Sequence, residues 1–305
     1  MIGAVEAGGT KFVCAIGDES GRVFSEERFP TTDPHTTLAA TVASLRRQSA
    51  ALGSLTAIGI GSFGPVELDR SSAQYGFIVR TPKAGWSMRD LAGTLAREFA
   101  CPIGFDTDVN AAAIAEHRWG AARDVADLAY VTVGTGIGGG ILVKGKPLHG
   151  MLHPEIGHIY PRRHALDQEF KGVCPFHGDC LEGLASGPAI LARSGASLDQ
   201  LDARHPQWEI LADYLGQLCL QLVLTVSPRR IVMGGGVMNQ TRLLPMIRAR
   251  LQHWLQGYID RPEVLAGIEG YVVAPGLGAQ AGVLGALALG IEAAQQAPIV
   301  HAGAA

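Results

Sequence analysis

Alternating apolar and polar positions predict three short strands in the first thirty residues, Ile2 to Ala7, Lys11 to Gly17 and Arg22 to Phe29. Gly8-Gly9 and Asp18 to Gly21 supply the turns of an antiparallel meander. From Pro34 to Ala51 the apolar spacing becomes helical, and Ala57 to Ser62 reads as a glycine-bounded strand. Ser87 with Asp90 three residues later resembles a capping box, which predicts a helix to about Phe99. A strand at Pro102 to Phe105 and a helix from Val109 to Trp119 follow. A second series then starts, with a strand at Leu128 to Val133, a turn through Gly134 to Gly140 and a return strand at Ile141 to Val143. Its likeness to the opening hairpin predicts two similar halves joined near residues 115 to 127. After an irregular stretch from Leu148 to Gly183, helices are expected at Gln207 to Val226 and Thr241 to Trp254, with strands at Arg230 to Met233 and Tyr271 to Ala274. A helix from Gly278 to about Ala294 closes the chain.

Composition narrows the function. With 47% hydrophobic residues and a net charge of -3, the chain is neither a disordered segment nor a basic partner for nucleic acid. The longest apolar candidate, Leu277 to Gly290, is short and interrupted by Gln280, and the first residues lack the pattern of a signal peptide, so no membrane association and a cytoplasmic location are expected. The 305 residues suffice for two domains. The five cysteines are odd in number, which argues against a secreted disulfide framework. Cys14, Cys101 and Cys219 sit in apolar settings and read as packing, whereas Cys174 and Cys180 form a close pair that needs its own chemistry.

Glycine clusters follow three predicted strands. In Glu6-Ala7-Gly8-Gly9-Thr10-Lys11 two glycines let backbone N–H groups approach an anion, while Thr10 and Lys11 offer a hydroxyl and a charge; an ordinary hairpin is the alternative. Gly134 to Gly139 matches the dinucleotide fingerprint in letters, but a strand follows where that motif needs a helix. Gly140 to Lys146 approximates a P-loop, yet Pro147 stands where Ser or Thr would bind magnesium. Gly234-Gly235-Gly236 lies between a strand and a helix, where a nucleotide can rest on bare backbone. Cys174-x-x-His177-x-x-Cys180 packs three zinc-type ligands into seven residues, and His158 could complete a closed tetrahedral site. His149, His153 and His164 compete for that fourth place. Asp108, between a strand and a helix, could be a general base or only a helix cap, a task also open to Asp106 or Thr107.

The ordered set of Glu6 to Lys11, Asp108-Val109-Asn110, Gly134 to Gly140, Glu155-Ile156-Gly157-His158 and Cys174 to Cys180 resembles the ROK group of sugar kinases. Within that group Glu6, Gly61-Ser62-Phe63-Gly64-Pro65 and Thr81-Pro82-Lys83-Ala84-Gly85-Trp86 look most like the zinc-containing bacterial fructokinases. The resemblance implies an α/β protein with the two-domain actin/hexokinase-like ATPase fold, ribonuclease H-like halves and an interdomain cleft. One domain would span 1–115, completed by a C-terminal helix at about 285–305, and the other 116–284 with a zinc loop at 153–182.

It further implies ATP-dependent phosphorylation of a hexose, D-fructose at O6 before mannose, glucose or an N-acetylhexosamine. Asp108 would be the catalytic base. Glu6, Gly8, Gly9, Thr10, Lys11, Gly134, Thr135, Gly136, Gly138, Gly234, Gly235 and Gly236 would hold ATP and its phosphates, with Mg2+ bridging them. Gly64, Pro65, Thr107, Asn110, Glu155, His158 and Glu182 would bind sugar, and His158, Cys174, His177 and Cys180 a structural Zn2+. Many relatives carry a third cysteine at the place of His177 and Asn at the place of Thr107. A homodimer is expected. Sugar-sensing regulators of the group carry an added N-terminal helix-turn-helix, whereas the first hairpin here starts at residue 2, so an enzyme is expected rather than a sugar-sensing binding protein.

Overall fold

The computed structural model describes residues 1–296; the part of the expected C-terminal segment from 297 to 305 lies outside the described residues. In chain order the elements are β1 (Ile2–Ala7), β2 (Lys11–Gly17), β3 (Val23–Pro30), α1 (Pro34–Leu52), β4 (Ala57–Ser62), β5 (Phe77–Ile78), β6 (Arg89–Asp90), α2 (Ala92–Phe99), β7 (Ile103–Thr107) and α3 (Asp108–Arg118). There follow β8 (Leu128–Val133), β9 (Ile137–Val143), β10 (Lys146–Pro147), α4 (Leu181–Ala185), α5 (Gly187–Ser194), α6 (Gln207–Thr225), β11 (Arg230–Gly234), α7 (Leu243–Leu255), α8 (Ile268–Tyr271), β12 (Val272–Val273) and α9 (Ala281–Gln296). The chain forms two compact units. Unit 1 takes Met1–Ala115, the short segment Met151–His153 and the segment from Ala279, and unit 2 takes Glu116–Gly150 and Pro154–Gly278.

Unit 1 is built on a sheet of order β3-β2-β1-β4-β7, in which the first three strands form an antiparallel meander and β1, β4 and β7 run parallel. β4 is buried at every position and β1 at all but Glu6, the pattern of strands covered on both faces. The covering helices are α9, packed on β1, β4 and β7, and α1, packed on β2. Phe12, Leu45, Ile58, Ile60, Trp86 and Leu95 lie at the centre of this core. Each such side chain contributes roughly 1.5–3 kcal/mol by leaving water.

Unit 2 repeats the plan, with order β10-β9-β8-β11-β12, antiparallel through β10, β9 and β8 and parallel through β8, β11 and β12. The same order in both sheets gives physical form to the two similar halves. α6 and α7 pack on each other, and Leu211, Leu215, Leu218, Ile231, Ile247 and Leu251 fill a separate core.

Two local expectations are corrected. The helix foreseen near Ser87 begins at Ala92, because Arg89 and Asp90 are drawn into an antiparallel pair with Phe77 and Ile78. Asp90 does the capping, its Oδ1 accepting from Gly93 N at 2.7 Å, while the Ser87 hydroxyl donates to Thr81 O. The second glycine turn is also shorter than its composition suggests. β9 starts at Ile137, and Gly138 to Gly140 are strand residues paired with β8. Among the described residues no helix is long and apolar enough to cross a membrane.

Candidate active site

In unit 1, Ala7, Ser62 and Thr107 form one row across β1, β4 and β7. The chain therefore leaves three neighbouring parallel strands at their carboxyl ends, the edge where α/β proteins bind ligands. Gly8-Gly9, Phe63-Gly64-Pro65 and Asp108 come next in sequence. Gly8 N donates to Lys11 O at 3.0 Å to close the hairpin, and Phe63 N donates to Ala7 O at 2.7 Å, tying the second loop to the first. Gly9, Thr10 and Lys11 are exposed. Burial pushes the Glu6 carboxyl above its ordinary range, opposed by the charges of Lys11 and Arg28. A Cβ on Gly282 would lie 2.5 Å from Glu6 Cδ, so that glycine makes room for the longer acid.

Asp108 opens α3 and is half-buried, with its Oδ1 accepting from Val109 N at 2.9 Å. Thr107 supplies the helix cap, its Oγ1 accepting from Asn110 N at 3.0 Å. Asn110 is 1% exposed, and its Nδ2 donates to Asp106 Oδ1 at 2.7 Å. The same Asp106 oxygen accepts from Thr107 N at 2.7 Å. Asp106 thus fixes the strand-to-helix junction from beneath. A Cβ on Gly61 would lie 2.8 Å from Ala111 Cβ and 3.4 Å from the Asp108 Cα, so a glycine there lets β4 close onto the first turn of α3.

In unit 2 the other two glycine clusters lie together. Gly134 N donates to Gly136 O at 2.8 Å, forming a tight turn between β8 and β9 with Thr135 exposed at its tip. Gly235 has φ 91°, and a Cβ on it would collide with Val133 O, so the backbone after β11 lies directly on the end of β8. Bare backbone from two strand ends therefore meets at one edge of the sheet. Gly138 stands apart from the turn, within β9.

The Glu155 to His158 segment packs on β9 as a 3₁₀ turn at Ile156–His158, and Gly157 permits the contact because a Cβ there would strike Ile137 O. Glu155 keeps an exposed side chain, yet the protein on its other side displaces water and, with the Glu182 carboxylate, pushes it up to about 7.

His158, Cys174, His177 and Cys180 converge, their ligand atoms all within 4.8 Å of one another. Cys180 Sγ lies 3.5 Å and Cys174 Sγ 3.8 Å from His158 Nδ1, and Cys174 Sγ lies 3.7 Å from His177 Nδ1. A tetrahedral zinc with bonds of about 2.0–2.3 Å spaces its ligands about 3.5 Å apart, so four residues of suitable chemistry fit one ion. Burial and the neighbouring Cys174 push the Cys180 thiol up to about 11, so a thiolate here needs a cation beside it. Two of the three rival histidines accept other hydrogen bonds, His164 Nδ1 from Leu166 N and His153 Nε2 from Val66 N.

The sequence pattern of the ROK family matches residues 2–293. The chain belongs to the ROK family. The fructokinase of Zymomonas mobilis is 44% identical over 96% of this chain and 97% of its own, and that of Pediococcus pentosaceus 41% identical over 97% and 100%. A ROK family glucokinase from Streptomyces griseus, solved with glucose and AMPPNP, superposes with a TM-score of 0.75 at 26% identity, covering 95% of this chain and 99% of its own. This ROK chain thus has the actin/hexokinase-like ATPase fold, and its family's sugar kinases act on a hexose and ATP. Sequence reasoning missed Gly282 beneath Glu6 and His153 beside Gly64, because each partner is distant in sequence, and it read Asp106 only as a possible helix cap, whereas its carboxylate anchors Thr107 N and the Asn110 side chain.

Proposed function

We propose that this ROK protein is an ATP-dependent fructokinase that forms fructose 6-phosphate, with Asp108 as general base. The observation that carries the sugar preference is the identity of 41–44% with fructokinases over nearly the whole chain, against 26% with the glucokinase. In the reaction Asp108 accepts the proton of the 6-hydroxyl as that oxygen attacks the γ-phosphorus, and the bond from phosphorus to the ADP oxygen breaks. Gly8 to Lys11 and Gly134 to Gly136 cradle the phosphates with backbone N–H groups, Thr10, Thr135 and Lys11, and Gly234 to Gly236 line the adenosine. Mg2+ on the phosphates would supply charge neutralisation, with Glu6 orienting its water shell.

Gly64, Pro65, Asn110, Glu155, His158 and Glu182 bind the sugar hydroxyls, and Thr107 acts there through its cap on Asn110. One imidazole can serve two tasks at His158, since Nδ1 faces the sulfurs and Nε2 remains for a hydroxyl. His158, Cys174, His177 and Cys180 would hold Zn2+, which supplies rigidity to the loop. A cytoplasmic homodimer belongs to the same proposal, and sedimentation of the purified protein checks the assembly.

The test is phosphorylation of fructose, mannose, glucose and N-acetylated hexosamines with MgATP. Fructose is expected to be turned over selectively, and Asp108→Asn to cut kcat by about 10²–10⁴ while sugar still binds. Preference for another hexose would discard the assignment of substrate, and an unchanged kcat in D108N would discard that of the base.

A further inference from the structure

Glu182 is the second residue of α4 and follows the metal-loop Cys180 by two positions. Its Oε2 accepts a hydrogen bond from Ile137 N at 2.9 Å. A Cβ on Gly136 would lie 2.6 Å from that same oxygen, so the carboxylate is pressed against the turn from Gly134 to Gly136. The turn is held from a second point as well, where Gly187 N donates to Gly134 O at 2.7 Å. Gly187 begins α5, and Ser186 joins it to α4 while donating its own N–H to Glu182 O at 3.1 Å. A single segment therefore grips both ends of the turn. Its other end is fastened to the metal loop, through Leu184 N to Cys180 O at 3.0 Å and Val173 N to Gly183 O at 3.0 Å.

A Gly-Thr-Gly turn has little conformational preference of its own, so its shape must be imposed by neighbours. The bond from an amide to a carboxylate is charge-assisted and short enough to impose it. Electrostatics alone would place no carboxylate beside a site for phosphates, because the like charges repel. Its hydrogen bond to Ile137 N and its contact with Gly136 give it a geometric task at the turn, beside its proposed contact with sugar.

We infer that Glu182 is a positioning residue for the nucleotide turn, so that the Cys174 to Cys180 loop sets affinity for ATP as well as for sugar. This rests on the proposed assignment of the Gly134 to Gly136 turn to nucleotide phosphates.

The two tasks of Glu182 separate in the absence of sugar. The experiment measures binding of Mg-AMPPNP to the full-length, metal-loaded protein by calorimetry, with no hexose present. Glu182→Gln keeps an oxygen that can accept from Ile137 N and removes the repelling charge, so nucleotide affinity is expected to hold or tighten. Glu182→Ala removes the acceptor, and affinity is expected to fall about tenfold, the size of one lost charge-assisted hydrogen bond. Glu182→Asp keeps the charge but shortens the reach, and is expected to weaken binding similarly; it carries the comparison should the alanine variant fail to fold. Faster amide exchange at Ile137 in E182A or E182D accompanies the loss. Unchanged affinity in a folded E182A or E182D, or equal weakening in E182Q, would overturn the inference. Failure of the unsubstituted protein to bind Mg-AMPPNP would instead remove the kinase reading on which it rests.

Discussion

His153 Nε2 accepts a hydrogen bond from Val66 N at 3.1 Å, and its ring lies 3.4 Å from where a Cβ on Gly64 would be. The histidine is 8% exposed, so this bond satisfies a buried amide that water does not reach. Its neighbours Gly150 and Pro154 belong to unit 2, while Met151 to His153 belong to unit 1. The sequence had offered His153 as a rival metal ligand. In the fold it shapes the Gly64-Pro65 turn instead.

His153→Ala leaves Val66 N unsatisfied, at a cost of about 1–3 kcal/mol. We expect KM for fructose to rise about tenfold, with a smaller fall in kcat, and metal content to stay at the level of the unsubstituted protein. Loss of metal in the variant, measured by elemental analysis, would return His153 to the list of ligands.

What the sequence disclosed and what it hid follow from the range of the interactions. The β1–β2 hairpin and the cysteine and histidine spacing are local patterns, so both could be read before any fold was known. Gly138 to Gly140 read as turn because glycine breaks structure locally, but in the fold a Cβ at Gly139 would strike Ile156, so the strand needs glycine there to seat the Glu155 to His158 segment. The bond of His153 to Val66 spans 87 residues, and that of Glu116 to Gly276 spans 160. Neither leaves a mark in the spacing of residues near it. Glu182 was legible as an acid beside the metal loop, but its amide partner lies 45 residues away.

On the proposed reading that His158, Cys174, His177 and Cys180 hold Zn2+, removal of the ion would release a loop that has few regular elements of its own. Structural zinc contributes directly to folding stability. Chelation, or Cys180→Ser, is expected to lower the melting temperature by about 5 °C or more and to weaken sugar binding. Calorimetric melting of loaded and chelated protein decides it, and coincident curves would show that the four side chains hold no structural ion.

With Glu155 as the proposed sugar contact, the reaction is expected to depend on pH. Burial and the adjacent Glu182 raise its carboxyl to about 7, so it is protonated below that pH and ionised above it. An ionised carboxylate is the better acceptor for sugar hydroxyls, and kcat/KM for fructose is expected to fall as pH drops through that value. A cation held by the neighbouring cluster, as proposed, would draw the midpoint down, so chelation is expected to raise it. Stability has the opposite sign. The folded state binds this proton more tightly than the unfolded one, whose ordinary value is 4.5, so the contribution is complete below that value and declines as pH rises toward 7. Glu155→Gln should abolish the acid limb of the rate profile, and a limb that persists in that variant belongs to another group.

Glu116 is the first residue of unit 2 along α3 and is fully buried. Its Oε2 accepts from Ala121 N at 2.7 Å and Gly276 N at 2.9 Å, and its Oε1 from Leu277 N at 3.0 Å. Ala121 is near in sequence, whereas Gly276 and Leu277 lie 160 and 161 residues away, so one carboxylate fastens the first segment of unit 2 to its last. A Cβ on Gly120 would collide with Oε2, so the pocket is closed around the acid. Glu116→Gln replaces one acceptor oxygen by an N–H donor that faces backbone donors, leaving at least one amide unsatisfied. The expected loss is about 2–4 kcal/mol of stability, larger than for a surface substitution. Urea unfolding of E116Q reads the effect. A midpoint equal to that of the unsubstituted protein would show that the buried carboxylate is not what fastens these segments.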